Sequence, residues 1–201
     1  MPRPEVVARL TTVFRRHGYD GATLSRLSHA TGLGKASLYH HFPGGKEDMA
    51  AAVLEGAEAW LQSQLVQPLR GPDTPRQRLE QMVRALDQMH AGGREGCLFA
   101  ALTLGEARER FHDRLRRAFK AWIGAVAALL AEAGLKSEEA ARRAEDAVLR
   151  IQGALVLSAG LGSPAPFRRL MQDLPDELLA GASAAARART PAKRKAPARR
   201  R

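Results

Sequence analysis

Between residues 111 and 133 the apolar residues Phe111, Leu115, Phe119, Trp122, Val126, Leu129 and Ala133 recur at steps of three and four. That spacing falls on one side of a helix with 3.6 residues per turn, so the segment reads as a long amphipathic helix with a face to bury. The rest of the chain repeats the pattern. Ala, Leu, Arg, Glu and Gln dominate, alternating β-branched runs are missing, and an all-α fold is expected.

The punctuation divides the chain into further helices. Residues 5–17 carry Val6, Val7, Leu10, Val13 and Phe14 on one face and stop at Gly18. Two short helices follow. The first is capped by Thr23, turns Leu24, Leu27 and Ala30 inward, and ends at Gly32. Leu33 and Gly34 make the turn into the second, 35–42, which stops at Pro43-Gly44-Gly45. A long helix is expected over 46–67, its acidic first turn suiting the helix dipole, then a connection over 68–75. Further helices are expected over 76–90, 97–107 and 137–159, and a last one carrying Phe167, Leu170, Met171, Leu174 and Leu178. Residues 151–159 are apolar nearly all round, which implies burial on more than one side.

The net charge of +11 is uneven. Residues 187–201 hold eight Lys or Arg and no acid, and 1–46 hold seven basic against two acidic side chains. The middle is near neutral, so both ends suit a polyanion, nucleic acid first. The tail 184–201, with Pro191 and Pro197, is expected to be a disordered cationic arm. If about four of its charges meet phosphate, truncation after Ser183 should flatten the slope of log affinity against log salt by roughly 3–4 units. A solvated terminus would leave the slope unchanged. The single cysteine, Cys97, excludes an internal disulfide framework. The run 154–161 is too short to span a bilayer, and no signal pattern opens the chain, so a cytoplasmic protein without a membrane partner is expected.

Residues 23–42 carry helix-turn-helix features. On the second helix Leu38 and Phe42 lie about 40° apart and anchor it to the core, while Ala36, Ser37, Tyr39 and His40 occupy the opposite side, with Lys35 at its start. Such a small, polar and aromatic face can enter a major groove, although a plain exposed helix would look the same.

The string Gly34-Lys35-Ala36-Ser37-Leu38-Tyr39-His40-His41-Phe42-Pro43-Gly44-Gly45-Lys46-Glu47, with Gly18-Tyr19-Asp20-Gly21-Ala22-Thr23-Leu24 upstream, resembles the recognition helix and lead-in of TetR-family repressors. Helix count, helix lengths and Gly96-Cys97-Leu98-Phe99 look like the LmrA/YxaF-like branch. The Arg-rich tail departs from the usual family pattern. The resemblance implies a three-helix DNA-binding domain over 1–46 and a ligand-binding and dimerisation domain over 47–183. It places Tyr39 and Lys46 on phosphates, Thr23 and Ser25 where the first short helix abuts the DNA backbone, and Lys35, Ala36, Ser37 and His40 at base edges. It implies a homodimer joined through the last two helices, with Ile151, Leu155, Leu157, Phe167 and Leu170 at the interface. It also implies a small apolar effector among Trp60, Met82, Met89, Phe99, Phe119, Trp122 and Gln152, although aromatic and Met residues at helical spacing are more often core. His90 and His112 are further polar candidates. The function implied is a ligand-responsive repressor on a palindromic operator, and the alternative is a DNA-organising protein without ligand control.

Other signals carry less. His40 and His41 diverge by about 100° on a helix and cannot easily share a metal ion. Gly44-Gly45-Lys46 lacks the earlier Gly and the following Ser or Thr of a phosphate loop. Nothing assembles a nucleophile with a base, so no catalytic residue, metal or cofactor is expected. A lone Cys on an apolar helix start reads as buried and inert more readily than as a redox sensor.

Overall fold

The computed structural model describes residues 1–183, and the basic arm expected over 184–201 lies outside them. Among the described residues there are helices and no strand. Helix α1 (Arg3–Gly21) is broken at Gly18, whose φ of 64° marks the stop expected there. Helix α2 (Leu24–Thr31) starts on Thr23, whose hydroxyl accepts the Arg26 N–H at 3.3 Å, and ends on a left-handed Gly32. Helix α3 (Lys35–His41) follows after the turn.

Helix α4 (Lys46–Leu61) does not stop before Pro68. It passes through a π-helical turn, Gln62–Val66, into a last short turn, α5 (Gln67–Leu69). The wider π turn relieves the clash a proline ring makes with the carbonyl four residues back, so the connection is shorter than expected. Helix α6 (Pro75–Met89) opens on a capping box between Thr74 and Gln77.

The helix expected over 97–107 shrinks to α7 (Leu98–Ala101), and α8 (Glu106–Glu132) begins before the apolar stripe. The reason is remote in sequence. Asp20 at the end of α1 accepts the Glu106 N–H at 3.4 Å, so α8 takes its N-terminal acceptor from the head. Gly105, at φ 60°, makes room, because a Cβ there would lie 1.7 Å from an Asp20 carboxylate oxygen.

Helix α9 (Ser137–Leu161) packs between α8 and α10 (Ala165–Leu178). Its inward stripe is Ala140, Ala144, Ala147, Val148, Ile151, Leu155 and Ser158. Arg143 ties α9 to the end of α10, donating to the carbonyls of Leu178 at 3.2 Å and Ala180 at 2.6 Å. One continuous core runs from α1 to α10. Among the described residues no helix is long and apolar enough to cross a membrane.

The packing separates the five residues expected at the interface. Ile151, Leu155, Phe167 and Leu170 are buried within the chain itself. Phe167 lies edge-on to His90 with ring centroids 5.8 Å apart. Gly93, at φ 91°, lets it in, since a Cβ there would come within 2.7 Å of the Phe167 Cβ. Of the five residues only Leu157 is exposed, together with Leu149, Val156 and Leu161. The all-round apolar run is thus two faces, one spent on α8 and α10 and one turned outward.

Candidate DNA interface and effector cavity

Helix α3 is held by Leu38 and Phe42, both essentially without exposure. Burying two such side chains contributes roughly 1.5–3 kcal/mol each. The turn before it is pinned by side-chain bonds: the Ser28 hydroxyl donates to the Leu33 carbonyl at 2.6 Å, and the Thr31 hydroxyl accepts the Leu33 N–H at 3.3 Å. With α3 fixed, Lys35, Ala36, Ser37, Tyr39 and His40 stand on its exposed side, and Thr23 and Ser25 are exposed at the start of α2. The structure therefore brings seven of the eight expected DNA-facing residues onto an open surface.

Lys46 is placed differently. It is half-buried, and its ammonium lies 4.2 Å from the centroid of the buried Tyr19 ring, a cation–π contact that ties α4 to α1. The joint between α3 and α4 is tight. Gly45 has φ 69°, and a Cβ there would come within 3.2 Å of the Tyr39 ring. The Gly44 N–H donates to Asp48 at 2.5 Å, so the carboxylate closes the turn. Sequence reading missed Arg3, whose guanidinium sits 5.3 Å from the Phe42 ring and adds a cation beside α3.

A cavity of about 350 Å³ lies between the two helices that carry this head and the body. On the α1 side it is lined by Ala8, Thr11, Thr12 and Arg15, and on the α4 side by Val53, Gly56, Ala57 and Trp60. Met89, Phe99 and Trp122 complete the expected set that reaches it. Met82, Phe119 and Gln152 do not line it. Met82 is buried in the core. Phe119 is half-buried and packs edge-on to Phe99, ring centroids 6.1 Å apart, and the half-buried Gln152 bonds the Cys97 thiol.

The polar groups of this wall are specific. His90 is buried, with Nδ1 3.0 Å from the Glu95 carbonyl oxygen, and burial holds its pKa below the ordinary histidine value. Burial likewise pushes the Cys97 thiol up, which keeps it protonated and poorly nucleophilic. Arg15 is bonded to Glu95 and to the Met89 carbonyl. Nothing in the α1 sequence marks Arg15 as a cavity residue. Its neighbours at helical spacing, Ala8, Thr11 and Thr12, are the only local hint.

Comparison with known proteins follows the same division. Residues 8–53 match the family described as bacterial regulatory proteins, tetR family. Residues 75–173 match that described as transcriptional regulator LmrA/YxaF-like, C-terminal domain. Over 138 residues the chain is 25% identical to the HTH-type transcriptional regulator LmrA of Bacillus subtilis, covering 66% of this chain and 72% of LmrA. It is 36% identical to the HTH-type transcriptional repressor AcnR of Corynebacterium glutamicum over 74 residues, 34% of this chain and 39% of AcnR. In fold it is similar to a TetR transcriptional regulator from Legionella pneumophila, with a TM-score of 0.73 and 16% identity, covering 86% of this chain and 94% of that one. It is also similar to SCO4454, a TetR-family regulator from Streptomyces coelicolor, with a TM-score of 0.72 and 19% identity, covering 90% and 95%. These relatives are transcriptional regulators, not enzymes. With a helix-turn-helix head matching one TetR model and a helical body matching another, the chain belongs to the TetR family of DNA-binding transcriptional regulators.

Proposed function

We propose that this regulator is a cytoplasmic, ligand-responsive repressor that binds a palindromic operator as a homodimer and is released by a small molecule held between α1 and α4. The observation that carries this reading is shared construction. The same two helices that wall the cavity also carry the recognition helix, α1 by packing on α2 and α4 by following α3 directly. A ligand that fits better when α1 and α4 are spread would shift the population toward a conformer whose heads are out of register. It can do so only through its differential affinity for the two conformers. Residues 1–46 act as the reader and 47–183 as the sensor and dimer scaffold. The outward face of α9 supports a second copy as partner: Leu149, Val156, Leu157 and Leu161 are exposed together, and Gly153 and Gly160 between them have open space above. Two heads in such a pair would reach successive major grooves.

Selection of bound sequences from a random DNA pool tests the reading. An enriched palindrome is the expected result, and binding without sequence preference and with steep salt dependence would mark a DNA-organising protein instead. Single substitutions refine it. His40→Ala should change preference at one or two base positions, at about 1–3 kcal/mol each. Lys46→Ala should weaken all sequences alike, because it loosens the α1–α4 contact and removes a cation near the phosphates. Unchanged affinity in both variants, measured by fluorescence anisotropy, would exclude this docking.

A further inference from the structure

Between α1 and α2 the head carries a second concave feature, a groove of about 380 Å³. Small side chains on its walls, Val13 and Ala30, leave it open. Its polar lining is cationic. Arg16 and His17 come from the later part of α1 and Arg26 and His29 from α2, and all four are exposed. Ser25 lines it as well, and no carboxylate does.

The two acids of residues 1–46 are engaged elsewhere. Glu5 pairs with Arg9, and Asp20 accepts the Glu106 N–H. Other exposed arginines meet a carboxylate: Arg110 meets Glu47 and Arg116 meets Asp113. Arg16 has no such partner among the described residues, and Arg26 has the Gly21 carbonyl, at 2.6 Å. Like charges gathered without an acid leave a positive local field, which an anion relieves. Guanidinium, hydroxyl and ring N–H donors together suit a phosphodiester, whose free oxygens offer lone pairs alone.

The position selects the source of that phosphate. Ser25 stands on the exposed surface of the head that also carries Thr23 and the open side of α3, so the groove borders the surface turned to DNA. A duplex read by a helix presents its backbone along both edges of the groove that the helix enters. We propose that the α1–α2 groove is a further DNA contact of the head, in which Arg16 and Arg26 hold a backbone phosphate of the duplex that α3 reads, and His17, Ser25 and His29 supply further donors. Such a contact carries no base information. It adds affinity and salt dependence at every sequence alike.

Fluorescence anisotropy of the full chain on a labelled duplex of mixed sequence tests this, at about 30 base pairs so that two half-sites and their flanks fit. Arg16→Gln with Arg26→Gln should lower affinity about tenfold or more and flatten the slope of log affinity against log salt by about 1–2 units per bound chain. Arg84→Gln with Arg168→Gln removes the same charge from a groove between α6 and α10 on the body. That pair should change affinity less than about twofold, since salt screens charges beyond about 10 Å. Arg16→Gln alone breaks no hydrogen bond of the fold, and should give about half the change in slope even where losing the Arg26–Gly21 bond unsettles the double variant. On a second duplex of shuffled sequence the loss should be the same factor. An unchanged slope in both variants would overturn the proposal, and so would an equal loss in the body pair, which would mark a net-charge effect. A loss confined to one of the two sequences would overturn it in favour of base reading. Absence of DNA binding by the wild type would overturn it together with the docking of α3.

Discussion

Replacing Val156 and Leu157 together by Glu is expected to give a monomer in sedimentation velocity and to lower operator affinity by roughly a hundredfold or more, with helical content unchanged. Both residues are more than half exposed, at 71% and 52%, so the substitutions leave the interior of the chain intact. Surface changes of this kind usually alter the stability of the fold itself by less than about 0.5 kcal/mol. In a dimer the same carboxylates would lie buried and unpaired against each other. Losing the second head removes the intramolecular advantage of the second half-site, typically about 10²–10⁴ in avidity. Leu155→Glu, one helical position inward, should behave otherwise. Leu155 is 3% exposed, and a charge there has no partner to meet. At several kcal/mol against a total stability of about 5–15 kcal/mol, that variant should fail to fold. A double variant that remains dimeric would remove this face of α9 from the interface.

Leu38→Ala is expected to disable the head while sparing the body. A helix of seven residues cannot hold itself together in water, so α3 depends on what it buries. Its anchors are Leu38 and the following Phe42. Truncation at a fully buried Leu costs about 2–5 kcal/mol, more when the site cannot collapse. Amide hydrogen exchange should rise across 35–41, and specific DNA affinity should fall more than about tenfold, while oligomeric state and ligand binding stay as in the wild type. Ser37→Ala supplies the contrast. On the exposed side of the same helix it should change DNA recognition with little change in stability. If Leu38→Ala left exchange over α3 untouched, the two-anchor account of the recognition helix would be wrong.

These two variants mark where local pattern suffices and where it does not. In α3 the spacing of Leu38 and Phe42 identified the buried side directly, and the remaining residues were left on the surface because a short helix has one side to bury. Lys46 shows the limit. Its position at the head of α4 was legible, but its engagement with Tyr19, supplied by α1, was not.

What the residues determine by themselves is periodicity, caps and stops, because these depend on neighbours within one or two turns. The stripe from Phe111 to Ala133, the Thr23 cap, the breaks at Gly18 and Gly32 and the exposed face of α3 all follow from that. What only the tertiary structure decides is which of two apolar faces is spent inside. Helix α9 is apolar nearly all round at 151–159, and periodicity alone cannot choose. Packing between α8 and α10 takes Ile151 and Leu155 and leaves Val156 and Leu157 outside. It also decides which donors end without acceptors. Asp20 finds the Glu106 N–H across 86 residues, while Arg15 Nε and Trp122 Nε1 are buried with no partner among the described residues. The physical reason is common to both. Burial and hydrogen-bond satisfaction depend on groups far apart in the chain, and a local pattern records what a residue needs but not which remote group supplies it.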